Sequence, residues 1–248
     1  MTTTLIVSVI AAVFVGALMR ATFGFGEAVV SMPLLALLPI DLHTAISLIG
    51  LAGLTVALLT VVSGWRHIDR PILLRLAAAT LIGIPAGLIL VTLMPASVVT
   101  AGLGFFLIAY GGYSFVRHTV VKAEVQPRFT ANYWALPAGF AAGALGSAFN
   151  FNGVPVVVYG TMRRWDPERF RGTLQAHFLI SGVFVVGGQA LGGLWSPDLF
   201  VLYGLSLPAI LAATLAGVMI NKRIPAKKFE RYVFLLIILL GALLLTGV

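Results

Sequence analysis

The chain contains no cysteine in 248 residues, which excludes disulfides and thiolate chemistry and says nothing reliable about compartment. It is also poor in charge: 10% of its residues are Asp, Glu, Lys or Arg, against 60% hydrophobic, and no soluble fold could hide so much apolar surface. Neither a phosphate loop nor a metal-ligand cluster is present, so no cofactor and no metal is expected. The first apolar run lacks a basic leader and a small-residue cleavage site, so a cleavable signal peptide is not expected. The net charge of +8 reads as loop charge held against anionic lipid heads and not as a nucleic-acid signature.

What is present is a series of long apolar runs separated by short basic clusters. The charge-free runs are 1–19, 28–40, 42–65, 76–116, 129–162, 172–197, 199–221 and 232–248. A helix needs roughly 20 apolar residues to span hydrocarbon. Run 76–116 is long enough for two spans, with Met94-Pro95-Ala96-Ser97 as the turn between them. Fifteen of the sixteen Lys and Arg residues fall in the clusters 66–75, 117–128, 163–171 and 222–231. The sixteenth, Arg20, lies inside an apolar stretch, seven residues before the equally isolated Glu27. Ionisable groups at membrane depth are costly, and by default they mark a site.

The chain repeats itself. Asp69…Met94-Pro95…Phe105…Gly112 recurs as Asp198…Ile224-Pro225…Phe234…Gly241, at an offset of 129 that drifts by one at the proline. Upstream, Phe23-Gly24-Phe25-Gly26 with Pro33 has a softer counterpart in Phe149-Asn150-Phe151-Asn152 with Pro155. The organisation expected is an N-terminal membrane repeat over 1–118, a linker over 119–130 and a C-terminal membrane repeat over 131–248, forming one integrated membrane domain. If every segment crossed once, the basic residues would divide nine to six between the two faces, a weak bias. If the segment around Phe149–Asn152 enters and returns, the split becomes fifteen to zero. The fold class expected is therefore an all-α polytopic membrane protein. It has two inverted repeats, each with one broken, re-entrant hairpin segment and three transmembrane helices, and its basic loops are cytoplasmic. For the first segment the flanking charge does not decide between a hairpin and a single crossing, which would give seven spans.

The broken segments are where function is expected. Gly24 and Gly26 weaken any continuous helix through Arg20–Glu27, and Asn150-Phe151-Asn152-Gly153 has the composition of a turn or cap. Non-helical backbone at membrane depth is tolerated only where protein buries it or where it lines a cavity. Two tips meeting near the midplane would each start a short helix, from about Ala28 to Leu38 and from Gly153 to Tyr159. Helix N-termini present free N–H groups and the positive end of the dipole, and Arg20 would add a full charge. The ligand expected is a small anion.

At these residues the chain resembles the TauE/SafE family of sulfite and organosulfonate exporters. In the first half the likeness rests on Gly24-Phe25-Gly26, Met32-Pro33-Leu34-Leu35, His43-Thr44-Ala45-Ile46-Ser47 and Arg66-His67-Ile68-Asp69. In the second it rests on Asn152-Gly153-Val154-Pro155, Gly172-Thr173-Leu174-Gln175 and Arg223-Ile224-Pro225-Ala226. The resemblance implies a multi-pass protein of the bacterial inner membrane. It would act as a secondary active transporter exporting sulfite or a short organosulfonate, with proton or potential coupling. Glu27, Asn150 and Asn152 stand where the family carries a longer glycine run. A carboxylate beside an anion repels it unless protonated or paired, which makes Glu27 a candidate proton carrier with Arg20 as its partner.

The expected substrate-binding set is Arg20, Gly24, Phe25, Gly26, Ser31, Thr44, Ser47, Asn150, Asn152, Gly153 and Gln175, with Glu27 and His177 as proton-coupling candidates. Each has a structural alternative. Arg20 and Glu27 could neutralise one another, Asn150 and Asn152 could cap backbone, and Thr44 and Ser47 could bond to the preceding turn. His177 could be a buried, satisfied ring. Trp65, Trp134, Trp165 and Trp195 fall at segment ends as interfacial anchors, and Gly83 and Gly87 form a small-xxx-small packing pair. The partners expected are the small anion and the bilayer; a homodimer is compatible with this and nucleic acid is not. Two further classes compete. An anion channel would use the same tips, and an intramembrane enzyme would need Ser31 near Glu27 as its nucleophile, with no recognised motif around it.

Overall fold

The computed structural model describes residues 2–60, 68–119, 131–221 and 238–246. Trp65, Arg66 and His67, all but the first residue of the 119–130 linker, and the Arg223-Ile224-Pro225-Ala226 motif lie outside the described residues. The first five helices are α1 (Thr3–Phe23), α2 (Glu27–Ala36), α3 (Leu42–Thr60), α4 (Arg70–Leu93) and α5 (Ala96–Thr119). After a short 3₁₀ turn at Asn132–Trp134 come α6 (Ala135–Phe149), α7 (Gly153–Met162), α8 (Pro167–Leu191) and α9 (Pro197–Asn221). Residues 238–245 are helical as well.

The scarce polar residues set the helix starts. Asp41 Oδ2 accepts from Thr44 N at 2.8 Å ahead of α3, Asp69 Oδ1 from Ile72 N at 3.3 Å ahead of α4, and Asp166 Oδ1 from Arg169 N at 2.8 Å ahead of α8. Each satisfies an otherwise orphaned N–H, and Pro71 and Pro167 stand in first turns where no N–H is needed. Six helices among the described residues are long and apolar enough to cross a membrane: α1, α3, α4, α5 over Ala96–Val116, α8 over Glu168–Leu191, and α9. The chain is thus an all-α polytopic membrane protein. Ile82, Phe105, Leu215 and Met219 are exposed on its outer surface, as lipid-facing residues should be.

Helix contacts cross between the two ends of the chain. α1 packs along α9, and α6 packs along α4; α3 touches both α8 and α9, and α8 touches both α3 and α4. The α4–α6 seam is made by glycine. A Cβ on Gly83 would overlap the Phe140 carbonyl oxygen, one on Gly87 the Ala144 carbonyl oxygen, and one on Gly143 the Thr80 carbonyl oxygen. The backbones therefore touch directly, the close approach expected of the Gly83/Gly87 pair.

α1 and α2 form one hairpin, and α6 and α7 another. The two differ in length. With 21 residues α1 is ~31 Å long, enough to cross a membrane, whereas the 15 residues of α6 reach only ~22 Å. The short return helices start within a residue of expectation, at Glu27 and Gly153, and end at Ala36 and Met162 instead of Leu38 and Tyr159. Trp134 and Trp195 are exposed near helix ends, consistent with anchoring; Trp165 is half-buried, edge-on to Tyr159 with ring centroids 5.6 Å apart.

Candidate functional site

The two hairpin tips face one cavity. At the first tip, Gly24 (φ 85°) closes α1 by donating its N–H to the Arg20 carbonyl at 2.7 Å, and Gly26 (φ 94°) caps α2. Both sit in left-handed backbone that a Cβ would strain. At the second tip, Asn150 (φ 61°) takes that conformation, one that Asn tolerates better than most residues. The cavity between them is about 40 Å³. Its walls are Arg20 and Phe25–Val29 from the first tip, Asn150–Val154 from the second, Ile49–Gly50 and Gly53–Leu54 of α3, and Phe178, Gly182, Val185 and Val186 of α8.

Arg20 and Glu27 are both buried and form an ion pair at 3.0 Å, Nη1 to Oε2, across the first tip. The Arg20 guanidinium also lies 4.5 Å above the Phe178 ring of α8, a cation–π contact. Gly53 is what makes room for them: a Cβ there would stand 2.9 Å from both Arg20 Nη1 and Glu27 Oε2. Arg20 Nε and Glu27 Oε1 have no hydrogen-bond partner among the described residues. A buried pair needs further hydrogen bonds to offset its desolvation, and this one has unused bonding capacity at the cavity wall. Glu27 occupies the first turn of α2, where a negative charge meets the positive end of the helix dipole.

The expected site residues divide into two groups. Arg20, Phe25, Gly26, Glu27, Asn150, Asn152 and Gly153 line the cavity. Gly24, Ser31, Thr44, Ser47, Gln175 and His177 do not. Ser31 Oγ donates to the Ala12 carbonyl at 2.8 Å and ties α2 to α1. Thr44 Oγ1 donates to Asp41 Oδ2 at 3.0 Å and pairs with Ser196 Oγ at 2.9 Å, at the start of α3; Ser47 Oγ donates to the Leu194 carbonyl at 3.3 Å. Gln175 Nε2 donates to the Gly24 carbonyl at 3.3 Å, behind the first tip. His177 Nε2 pairs with Thr80 Oγ1 at 3.1 Å in the α4–α8 contact, a buried ring bonded to a hydroxyl. Among the liners, Asn152 Nδ2 donates to Ser181 Oγ at 2.7 Å and Asn150 Nδ2 to the Ile46 carbonyl at 2.6 Å.

Sequence reasoning missed Phe178, Gly53 and Gln189. Gln189 is wholly buried, and its Nε2 reaches the Ser147 carbonyl at 3.4 Å and Asn150 Oδ1 at 3.3 Å. A buried amide inside a long apolar span was the available signal for it.

The arrangement brings two helix N-termini, a guanidinium and a carboxylate to one small void, which suits a compact oxyanion in exchange with a counter-charge. No group of His, Cys, Asp or Glu that could hold a metal occurs among the described residues. The family model described as "Sulfite exporter TauE/SafE" matches residues 9–244. No curated protein and no solved structure matches the chain.

Proposed function

The chain belongs to the sulfite exporter TauE/SafE family, whose members are membrane transporters and not enzymes, and we propose that it exports sulfite or a short organosulfonate by a mechanism coupled to protons or to the membrane potential. The observation that carries this reading is the convergence of both tips and the Arg20–Glu27 pair on one cavity. The void of about 40 Å³ has room for about three waters, the scale of a four-heavy-atom oxyanion. The anion would sit against the N-termini of α2 and α7 and compete with Glu27 for Arg20. Glu27, deprived of its counter-charge, would then take a proton, so that proton and anion occupy the cavity together. Release of the anion would return Arg20 to Glu27 and free the proton on the same side, so that the two cross together.

Inverted halves supply the two alternating states, and the reciprocal contacts support them. Thr44 and Thr173 stand 129 residues apart. Thr44 bonds to Ser196 just ahead of α9, and Thr173 Oγ1 accepts from Asp69 N at 3.0 Å just ahead of α4. Gly53 and Gly182, separated by the same offset, both line the cavity. These links suit a two-fold relation between 1–118 and 131–248 with its axis through the cavity, and with the basic loops on the cytoplasmic face.

The test is anion flux in proteoliposomes with and without an imposed pH gradient, over sulfite, sulfate, thiosulfate, sulfoacetate, taurine and acetate. Saturable, gradient-driven flux of sulfite or a sulfonate, lost in Arg20→Gln and uncoupled from protons in Glu27→Gln, is the expected result. Flux of high unitary conductance that ignores the gradient would replace the transporter with a channel. No flux of any of these anions would reject the site.

A further inference from the structure

Asn150 and Gln175 both carry side-chain amides, and the tips use them in a crossed way. Gln175 belongs to α8, in the second half, yet its Nε2 donates to the carbonyl of Gly24 at the first tip, 3.3 Å away. Asn150 belongs to the second tip, yet its Nδ2 donates to the carbonyl of Ile46 on α3, in the first half, at 2.6 Å. Ile46 and Gln175 are 129 residues apart, the repeat offset, and Gly24 and Asn150 are the matching left-handed residues of the two tips. The same junction is thus built twice with the donor and acceptor exchanged. In one copy the helix supplies the side chain and the tip its backbone; in the other the tip supplies the side chain and the helix its backbone.

The Asn150 amide is itself held in orientation, whereas Thr60 Oγ1 of α3, 3.4 Å from Gln175 Oε1, gives its single proton to the Val56 carbonyl at 2.8 Å. Gln189 Nε2 donates to Asn150 Oδ1 at 3.3 Å, so the Asn150 amide turns its N–H₂ toward Ile46. Gln189 is anchored in turn on the Ser147 carbonyl, and it stands where a Cβ on Gly50 would come within 2.6 Å of its Oε1. Both ends of the Asn150 amide are therefore engaged by protein, although the residue lines the cavity.

We infer that Asn150, oriented by Gln189, and Gln175 are positioning residues that fix each tip against the facing helix of the other half, and not ligands of the anion. The inference rests on the transport reading for its kinetic consequence, but the geometry it assigns is independent of any substrate. What each clamp places is a helix N-terminus: Gly24 lies three residues ahead of the start of α2, and Asn150 three ahead of α7. An N–H group displaced from the anion weakens the hydrogen bond steeply, so loss of a clamp should appear as loss of anion affinity.

The experiment reads amide hydrogen exchange of the two tips in detergent, without substrate, and sulfite flux kinetics in proteoliposomes. Gln175→Leu is expected to speed exchange in residues 21–29 and to leave 146–154 unchanged, although position 175 lies in the second half. Asn150→Gly, which keeps the left-handed backbone, and Gln189→Met, which keeps the volume, are expected to do the reverse. Each should raise the apparent KM for sulfite about tenfold with Vmax changed less than about twofold, the effect of one misplaced hydrogen bond. The Asn150→Gly/Gln189→Met double variant should be no worse than either single one, because Gln189 acts through Asn150. Gln175→Leu exchange that changes in 146–154 and not in 21–29, or exchange that changes at neither tip in any variant, would overturn the inference, as would additive effects in the double variant. Crossed exchange in a protein that moves none of the anions would leave the clamps standing and remove the transport reading alone.

Discussion

Arg20 and Glu27 meet at 3.0 Å across a break of three residues between α1 and α2, both buried and both on the cavity wall. Neither could be buried at this depth alone. The pair is neutral as a unit, and under the proposed function it would hold a guanidinium ready for an incoming anion without a standing charge.

Removing one partner should cost more than removing both. Arg20→Gln or Glu27→Gln alone leaves a buried charge uncompensated, and the loss of stability is expected to be about 3–5 kcal/mol. The double variant should recover much of that loss while remaining inactive. Thermal unfolding in detergent, followed by flux, checks both halves of the statement, and equal destabilisation by the single and double changes would contradict it.

Gly53→Ala should act on the same pair without touching either charge. Its Cβ would come within 2.9 Å of Arg20 Nη1 and Glu27 Oε2, so the pair must part or shift. We expect flux to fall about tenfold or more, as for a misplaced catalytic group. Gly204→Ala on α9 is the matched control, since nothing lies within 4 Å of its added Cβ. It is expected to be neutral or to stabilise by up to about 1 kcal/mol.

Ser31→Ala should leave transport intact. Its hydroxyl donates to the Ala12 carbonyl and lies off the cavity, so stability should fall by about 1 kcal/mol with flux unchanged. Abolished flux in a folded Ser31→Ala protein would return this serine to the site.

The native chain has no cysteine, so single-cysteine labelling needs no background removal. Thr161→Cys, beside Arg163 and Arg164, is expected to react from the cytoplasmic side only. Ser97→Cys and Asp198→Cys are expected to react from the other; all three positions are exposed. Labelling of Thr161→Cys and Ser97→Cys from one side would reject the topology inferred from the basic clusters.

The parts of the site that could be read in the sequence are those where a residue is out of place in its own segment. Arg20 and Glu27 are isolated charges in apolar sequence, and Gly24, Gly26 and Asn150 interrupt helix-forming runs, so their location follows from local chemistry. Thr44, Ser47, Gln175 and His177 are equally polar but serve contacts between helices. Spacing along one helix does not reveal whether its polar face meets a cavity, another helix or a loop. Phe178 was invisible for the opposite reason: an aromatic residue in an apolar span is unremarkable until a guanidinium is found above its ring. The depth of α1 was also beyond reach. Gly24 marks where that helix stops, but where it stands in the membrane depends on its packing against α9.

The glycine seam between α4 and α6 bears on which pieces of this protein can move as bodies. Shear between packed helices is ordinarily absorbed by side chains changing rotamer, and this seam, where carbonyl oxygens rest on glycine and Thr80 and Ser147 bond across it to Gly139 and Ile84, has few long side chains to yield. α6, the opening helix of the second half, is thereby riveted to α4, the third long helix of the first. A rocking transporter divided at its linker would have to tear that seam on every cycle. In the proposed transporter the division that spares it would run between the exchanged pairs, α4 with α6 on one side and α1 with α9 on the other, so that the blocks that move would not be the chain's two halves.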